Sequence, residues 1–122
     1  MRGESGNAAP TVVSGAISFA GDAPPFASAT VHVQVEDVSV ADAPSVVLAE
    51  QVLEGVRPPA PGRTVAFRVS AGALDPRRRY NVRVHVDVDG DGRVSPGDFV
   101  TVQSYPVAPG HDAELAVVVR RI

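Results

Sequence analysis

A chain of 122 residues with a net charge of −3 suits one domain with its own core and offers no basic field for nucleic acid. It contains no Cys, which excludes disulfides, thiolate metal sites, cysteine catalysis and cysteine lipidation of this chain. No stretch approaches the ~20 apolar residues of a membrane-spanning helix.

The aliphatic content is carried largely by valine, with 5% aromatic residues and no Trp. Valine is stiff at Cβ and favours strands. The 11 Pro and 11 Gly gather between the valine runs, as an all-β chain with many turns requires. Residues 1–10 are small and polar and read as a mobile tail ahead of a domain at 11–122. That tail lacks the apolar core of a signal peptide, so the chain is either cytoplasmic or a mature segment restarted at a Met.

Thr11 to Phe19 is the first extended segment, ended by Gly21-Asp22-Ala23-Pro24-Pro25. In the second, Val31, Val33 and Val35 alternate with His32, Gln34 and Glu36, predicting an inward and an outward face. Asp42-Ala43-Pro44 precedes a third segment, Val46 to Glu54, and Pro58-Pro59-Ala60-Pro61-Gly62 reads as a stiff connector. The fourth puts Val65, Phe67 and Val69 on one face, with a single helical turn expected near Ala71 to Leu74. The fifth puts Tyr80, Val82, Val84, Val86 and Val88 inward, leaving Arg83, His85 and Asp87 as an outward stripe. Phe99 to Tyr105 and a last run with Leu115, Val117 and Val119 inward complete about seven strands. The pattern predicts a single antiparallel Greek-key β-sandwich, immunoglobulin-like or transthyretin-like. Leu74-Asp75-Pro76 before Arg79-Tyr80 further predicts a tyrosine corner, in which the Tyr80 hydroxyl meets backbone a few residues upstream. On the plainer reading Tyr80 is simply the first inward residue of its strand.

The most specific feature is residues 87–98, Asp87-Val88-Asp89-Gly90-Asp91-Gly92-Arg93-Val94-Ser95-Pro96-Gly97-Asp98. Carboxylates at loop positions one, three and five, a glycine at six, an apolar residue at eight and oxygen ligands at nine and twelve follow the spacing of an EF-hand calcium loop. Asp stands at the last position where Glu is usual. The expected ligands are Asp87, Asp89, Asp91, the Arg93 backbone carbonyl, Ser95 and Asp98, the last two directly or through water. Gly92 would supply the positive φ of the bend. Calcium is a hard ion wanting about 6–8 oxygens, and the short Asp98 predicts weak affinity, about 10⁻⁵ to 10⁻³ M. The competing reading is a metal-free hairpin, because Asp-Gly pairs are also strong turn signals. It leaves Val94, Ser95 and Asp98 unexplained.

Val35-Glu36-Asp37-Val38-Ser39-Val40-Ala41-Asp42-Ala43-Pro44, Leu48-Ala49-Glu50-Gln51, Leu74-Asp75-Pro76 with Arg79-Tyr80, and Ser104-Tyr105-Pro106-Val107 resemble the YbaY/YscW family. These are envelope lipoproteins of Gram-negative bacteria related to type III secretion pilotins. The resemblance covers roughly residues 12–107. It implies a small β-sandwich of the periplasm or cell envelope without enzymatic activity and, for pilotins, binding of a secretin segment. The lipobox cysteine usual in the family is missing here, and the calcium loop replaces a short hairpin.

Other chemistry is weakly announced. His32, His85 and His111 have no partners at metal-ligand spacing, and exposed strand histidine is the better reading than zinc. No nucleophile elbow or phosphate loop is present, so catalysis is not expected. Arg77-Arg78-Arg79 reads as a solvated turn. At about 1 kcal/mol per charge, three arginines could not hold the chain at an anionic membrane. Two functions therefore stand: a non-catalytic, calcium-binding envelope module with a structural or scaffolding role, and a pilotin-like chaperone for a peptide of a secretin or another envelope partner. A surface of scattered charges would favour the first, an exposed apolar groove or unpaired hydrophobic sheet edge the second.

Overall fold

The computed structural model describes residues 10–21 and 26–122; of the tail expected at 1–10, all but Pro10 lies outside them. The elements are β1 (Pro10–Phe19), β2 (Ala29–Asp37), β3 (Val46–Val56), β4 (Val65–Ala73), β5 (Tyr80–Asp87), β6 (Phe99–Thr101), β7 (Pro106–Val107) and β8 (Ala113–Arg121). All are strands. The turn expected at Ala71 to Leu74 is instead the end of β4 and its exit, and Pro10 already belongs to β1.

The all-β reading holds, whereas the seven-stranded Greek-key sandwich is replaced by one continuous eight-stranded sheet. Its order is β3-β2-β5-β6-β8-β1-β4, with β7 beside β5. The sheet curls until its two ends approach, and the Gln51 side chain of β3 accepts the Arg68 N–H of β4 at 2.7 Å. The count differs because the sixth segment, expected to run to Tyr105, stops at Thr101 as β6, and a short β7 follows after residues 102–105. There the Asn81 side chain takes the Tyr105 N–H at 2.6 Å and the Ser104 hydroxyl at 3.0 Å.

Every pairing is antiparallel except β1 with β8. That parallel pair brings Gly15 opposite Leu115, and a Cβ at Gly15 would stand 2.0 Å from the Leu115 carbonyl oxygen. Glycine is required there for closeness of approach. The inward residues of the alternating strands form the core: Val31, Val33, Val35, Val82, Val84, Val86, Val117 and Val119 are buried with Val13, Ile17, Phe67 and Val69. Phe19 and Phe99 meet edge to face at 5.0 Å, and Phe26 lies 5.9 Å from each.

The tyrosine corner is present. The Tyr80 hydroxyl accepts the Asp75 N–H at 2.9 Å, and Leu74 is buried beside it. A second tyrosine does similar work, Tyr105 accepting the Val118 N–H at 2.8 Å. The arginine turn is less free than its sequence implies. Arg77 pairs with Asp75 at 3.2 Å, and Arg78 reaches across to Asp37. Arg78 and Ser39 together hold the Asp37 carboxyl down to about 2.

Candidate functional site

β5 ends at Asp87 and β6 begins at Phe99, so the acidic loop spans two neighbouring strands of the sheet. Asp87 was expected on an outward stripe but is only 2% exposed, because the loop folds over it. Its two oxygens accept the Gly90 N–H at 3.0 Å and the Gly92 N–H at 2.8 Å. Gly92 has φ +78°, the left-handed conformation its place in the spacing demands. Asp98, 1% exposed, accepts the Val88 N–H at 3.0 Å and the Ser95 N–H at 3.2 Å, and contacts His85 Nε2 at 2.7 Å. The backbone of Ile122 clasps the same corner, through Gly97 N–H at 2.8 Å and the Asp98 carbonyl at 2.9 Å.

The remaining loop residues converge as well. The Ser95 hydroxyl donates to Asp89 at 3.1 Å, and the Arg93 N–H donates to Asp91 at 2.9 Å. Asp87, Asp89, Asp91 and Asp98 each offer a carboxylate oxygen, all within 4.8 Å of one another. Hydrogen bonding shared with Asp87, and then the Ser95 hydroxyl, holds the Asp89 carboxyl below the usual carboxylate range. Such a set of hard oxygens on a short turn fits a cation of the calcium class. Arg93 and Ser95 lie in the loop as the spacing requires, with the Arg93 side chain exposed.

His85 was not foreseen at this site. It sits two residues before the loop, and its contact with Asp98 depends on a fold-back that periodicity does not report. It also lines a cleft of about 390 Å³ on the outer face of β3, β2 and β5, with His32, Gln34, Glu36, Glu50 and Arg83. Gly92 and Val94 of the loop form its wall. Glu36 is 7% exposed, although its strand position predicts an outward side chain, and it makes no side-chain hydrogen bond among the described residues. A register shift in the β2–β3 ladder falls at Val35/Glu36.

Beside the cleft runs β3, an end strand of the sheet that pairs with β2 alone. Val46, Val47, Leu48 and Val52 on it are exposed, as are Val38 and Val40 just before it. The described residues include no helix long and apolar enough to cross a membrane.

No curated protein matches the chain. Among solved structures, it is similar to an alternative pilotin from the type II secretion system of Vibrio cholerae. The TM-score is 0.67 at 25% identity, over 91% of this chain and 96% of that one. Residues 8–119 match the family described as type III secretion system lipoprotein chaperone (YscW), nearly the whole length, and the chain belongs to that family.

Proposed function

We propose that this chain is a non-catalytic, pilotin-like chaperone of the cell envelope that holds a peptide segment of a secretin or another envelope partner. The observation that carries the reading is the β3 edge. One side of β3 is paired with β2, the other has no ladder partner and meets β4 through the Gln51 side chain, and Val46, Val47, Leu48 and Val52 stay in solvent. An exposed apolar edge strand is an aggregation hazard that proteins ordinarily blunt, and its retention is explained by a partner that covers it. Strand addition or an amphipathic segment laid along this edge would bury those residues. Glu36, without a side-chain partner among the described residues in the adjoining cleft, would favour a basic side chain on the guest. Membership in the family and likeness to the Vibrio cholerae pilotin support the same reading.

The test is fluorescence anisotropy with labelled C-terminal segments of the secretins encoded in the same genome. Leu48→Lys and Val52→Lys lie on exposed positions and should leave the circular dichroism spectrum intact while weakening binding at least tenfold. No bound segment, or wild-type affinity in both variants, would refute the proposal.

A second reading is compatible with the first. The convergence of Asp87, Asp89, Asp91 and Asp98 supports one Ca²⁺ in the loop, with Ser95 and the Arg93 carbonyl completing the shell. Its role would be structural, since the loop joins two strands of one sheet and carries no helix pair to open.

A further inference from the structure

We propose that His32 and His85 form a binding site for a borderline divalent transition ion, of the Cu²⁺, Ni²⁺ and Zn²⁺ class. In the β2–β5 ladder these two residues are direct register partners. Their rings stack with centroids 5.7 Å apart and planes 17° from parallel. A ligating lone pair lies in the plane of its ring, so two neutral imidazoles at these paired positions share a Lewis acid once they turn out of the stack, whereas two protonated ones would repel.

Both rings carry the brace that metal-ligating histidines usually have. Glu50 Oε2 lies 3.3 Å from His32 Nδ1 and is itself fixed by the Gln34 amide at 2.8 Å. Asp98 Oδ2 lies 2.7 Å from His85 Nε2. A carboxylate that takes one ring N–H fixes the tautomer and raises the basicity of the other nitrogen. His32 Nε2 and His85 Nδ1 are those other nitrogens, and neither has a hydrogen-bond partner among the described residues.

The site is also reachable. Both histidines and Glu50 line the cleft of about 390 Å³ that opens on the outer face. An ion bound at about 2.0–2.1 Å from each nitrogen requires the stacked rings to tilt toward one another. The His32 side chain, 24% exposed, borders the cleft, and rotation about its side-chain torsions would turn Nε2 toward His85 Nδ1. Water or a partner's side chain would fill the remaining positions. Imidazole selects this class over Ca²⁺ and Mg²⁺, which prefer oxygen, and among the three ions Cu²⁺ should bind most tightly. With two protein nitrogens, affinity falls short of a four-ligand structural zinc site. The inference does not depend on the chaperone reading or on calcium in the loop.

The experiment is calorimetric titration of the whole, tag-free chain with Zn²⁺ and Cu²⁺ in excess Ca²⁺, with ¹⁵N NMR of the imidazoles alongside. One ion per chain should bind, moving the His32 and His85 resonances while His111 stays in place. His32→Ala should cost at least tenfold in affinity, and Glu50→Gln about tenfold, typical of losing an outer-shell brace. His111→Ala, at an exposed histidine outside the cleft, should change nothing. Should His32→Ala disturb the sheet by circular dichroism, Glu50→Gln carries the same test. No binding, binding indifferent to these variants, or shifts centred on His111 would overturn the proposal.

Discussion

His85 and Asp98, thirteen residues apart, meet at 2.7 Å and so tie the outer face of β5 to the last residue of the acidic loop. The contact makes the loop part of the sheet's outer surface, and the cleft beside β3 takes its wall from the same segment.

Removing Asp98 therefore loosens more than a ligand. Asp98→Ala strands the N–H groups of Val88 and Ser95 together with the His85 ring. Guanidinium unfolding in EGTA, where no metal contributes, should register a loss of about 3 kcal/mol. Asp98→Asn, which keeps an acceptor oxygen, should lose less. An Asp98→Ala variant as stable as the parent would mean that the loop does not lean on this carboxylate.

Calcium should raise the thermal midpoint and magnesium should not. At a free concentration of about 100 times Kd, linkage predicts ~2.7 kcal/mol, on the order of 10 °C for a domain of this size. Asp89 is exposed, so Asp89→Ala should abolish the response with little effect in EGTA. A response that survives Asp89→Ala would place the ion elsewhere.

Gly15→Ala should be among the most damaging single-methyl additions in the chain. The new Cβ would collide with backbone, the Leu115 carbonyl at 2.0 Å, which has no rotamer in which to escape. Overpacking of this kind costs about 1–3 kcal/mol and sometimes more. Equilibrium unfolding of Gly15→Ala against Ala16→Gly, its neighbour on the same strand, separates the clash from any change in strand propensity.

Acid should weaken the Arg78–Asp37 link in a defined window. Arg78 and Ser39 lower the Asp37 pKa to about 2 from an ordinary 3.8, so the unfolded chain takes up the proton first. The stability this contributes is complete above about pH 4 and is lost as pH falls toward 2. Asp37→Asn should show a smaller drop than the parent across that interval in pH-dependent unfolding. Equal slopes would show that other carboxylates carry the acid sensitivity.

The valine alternation made most of the fold legible. Val31, Val33 and Val35 in β2, and Val82, Val84 and Val86 in β5, are buried as their period-2 spacing requires. Tyr80 and the loop spacing were legible for the same reason: local sequence fixes local geometry. What could not be read depends on distant partners. The parallel meeting of Gly15 and Leu115 leaves no pattern near either residue. Asp87 and His85 sit at outward positions of β5, and only the loop folding back covers the one and contacts the other. Glu36 keeps the outward place of its alternation but is buried in the cleft, beside a register shift in the β2–β3 ladder.

The place of β8 in the sheet also constrains how the chain comes to be folded. In the order β3-β2-β5-β6-β8-β1-β4, β8 is the strap between two partial sheets, β6 with its neighbours on one side and the β1–β4 pair on the other. Its ladder with β1 spans about a hundred residues of chain, from Val13 opposite Ala113 onward. Closing so large a loop comes late and slowly. A chain delivered end first, from a ribosome or a translocation channel, holds β1 and β6 as open edges until β8 arrives. This topology predicts that closure of the sheet waits for β8, which folding kinetics of a chain with a destabilised β8 would test.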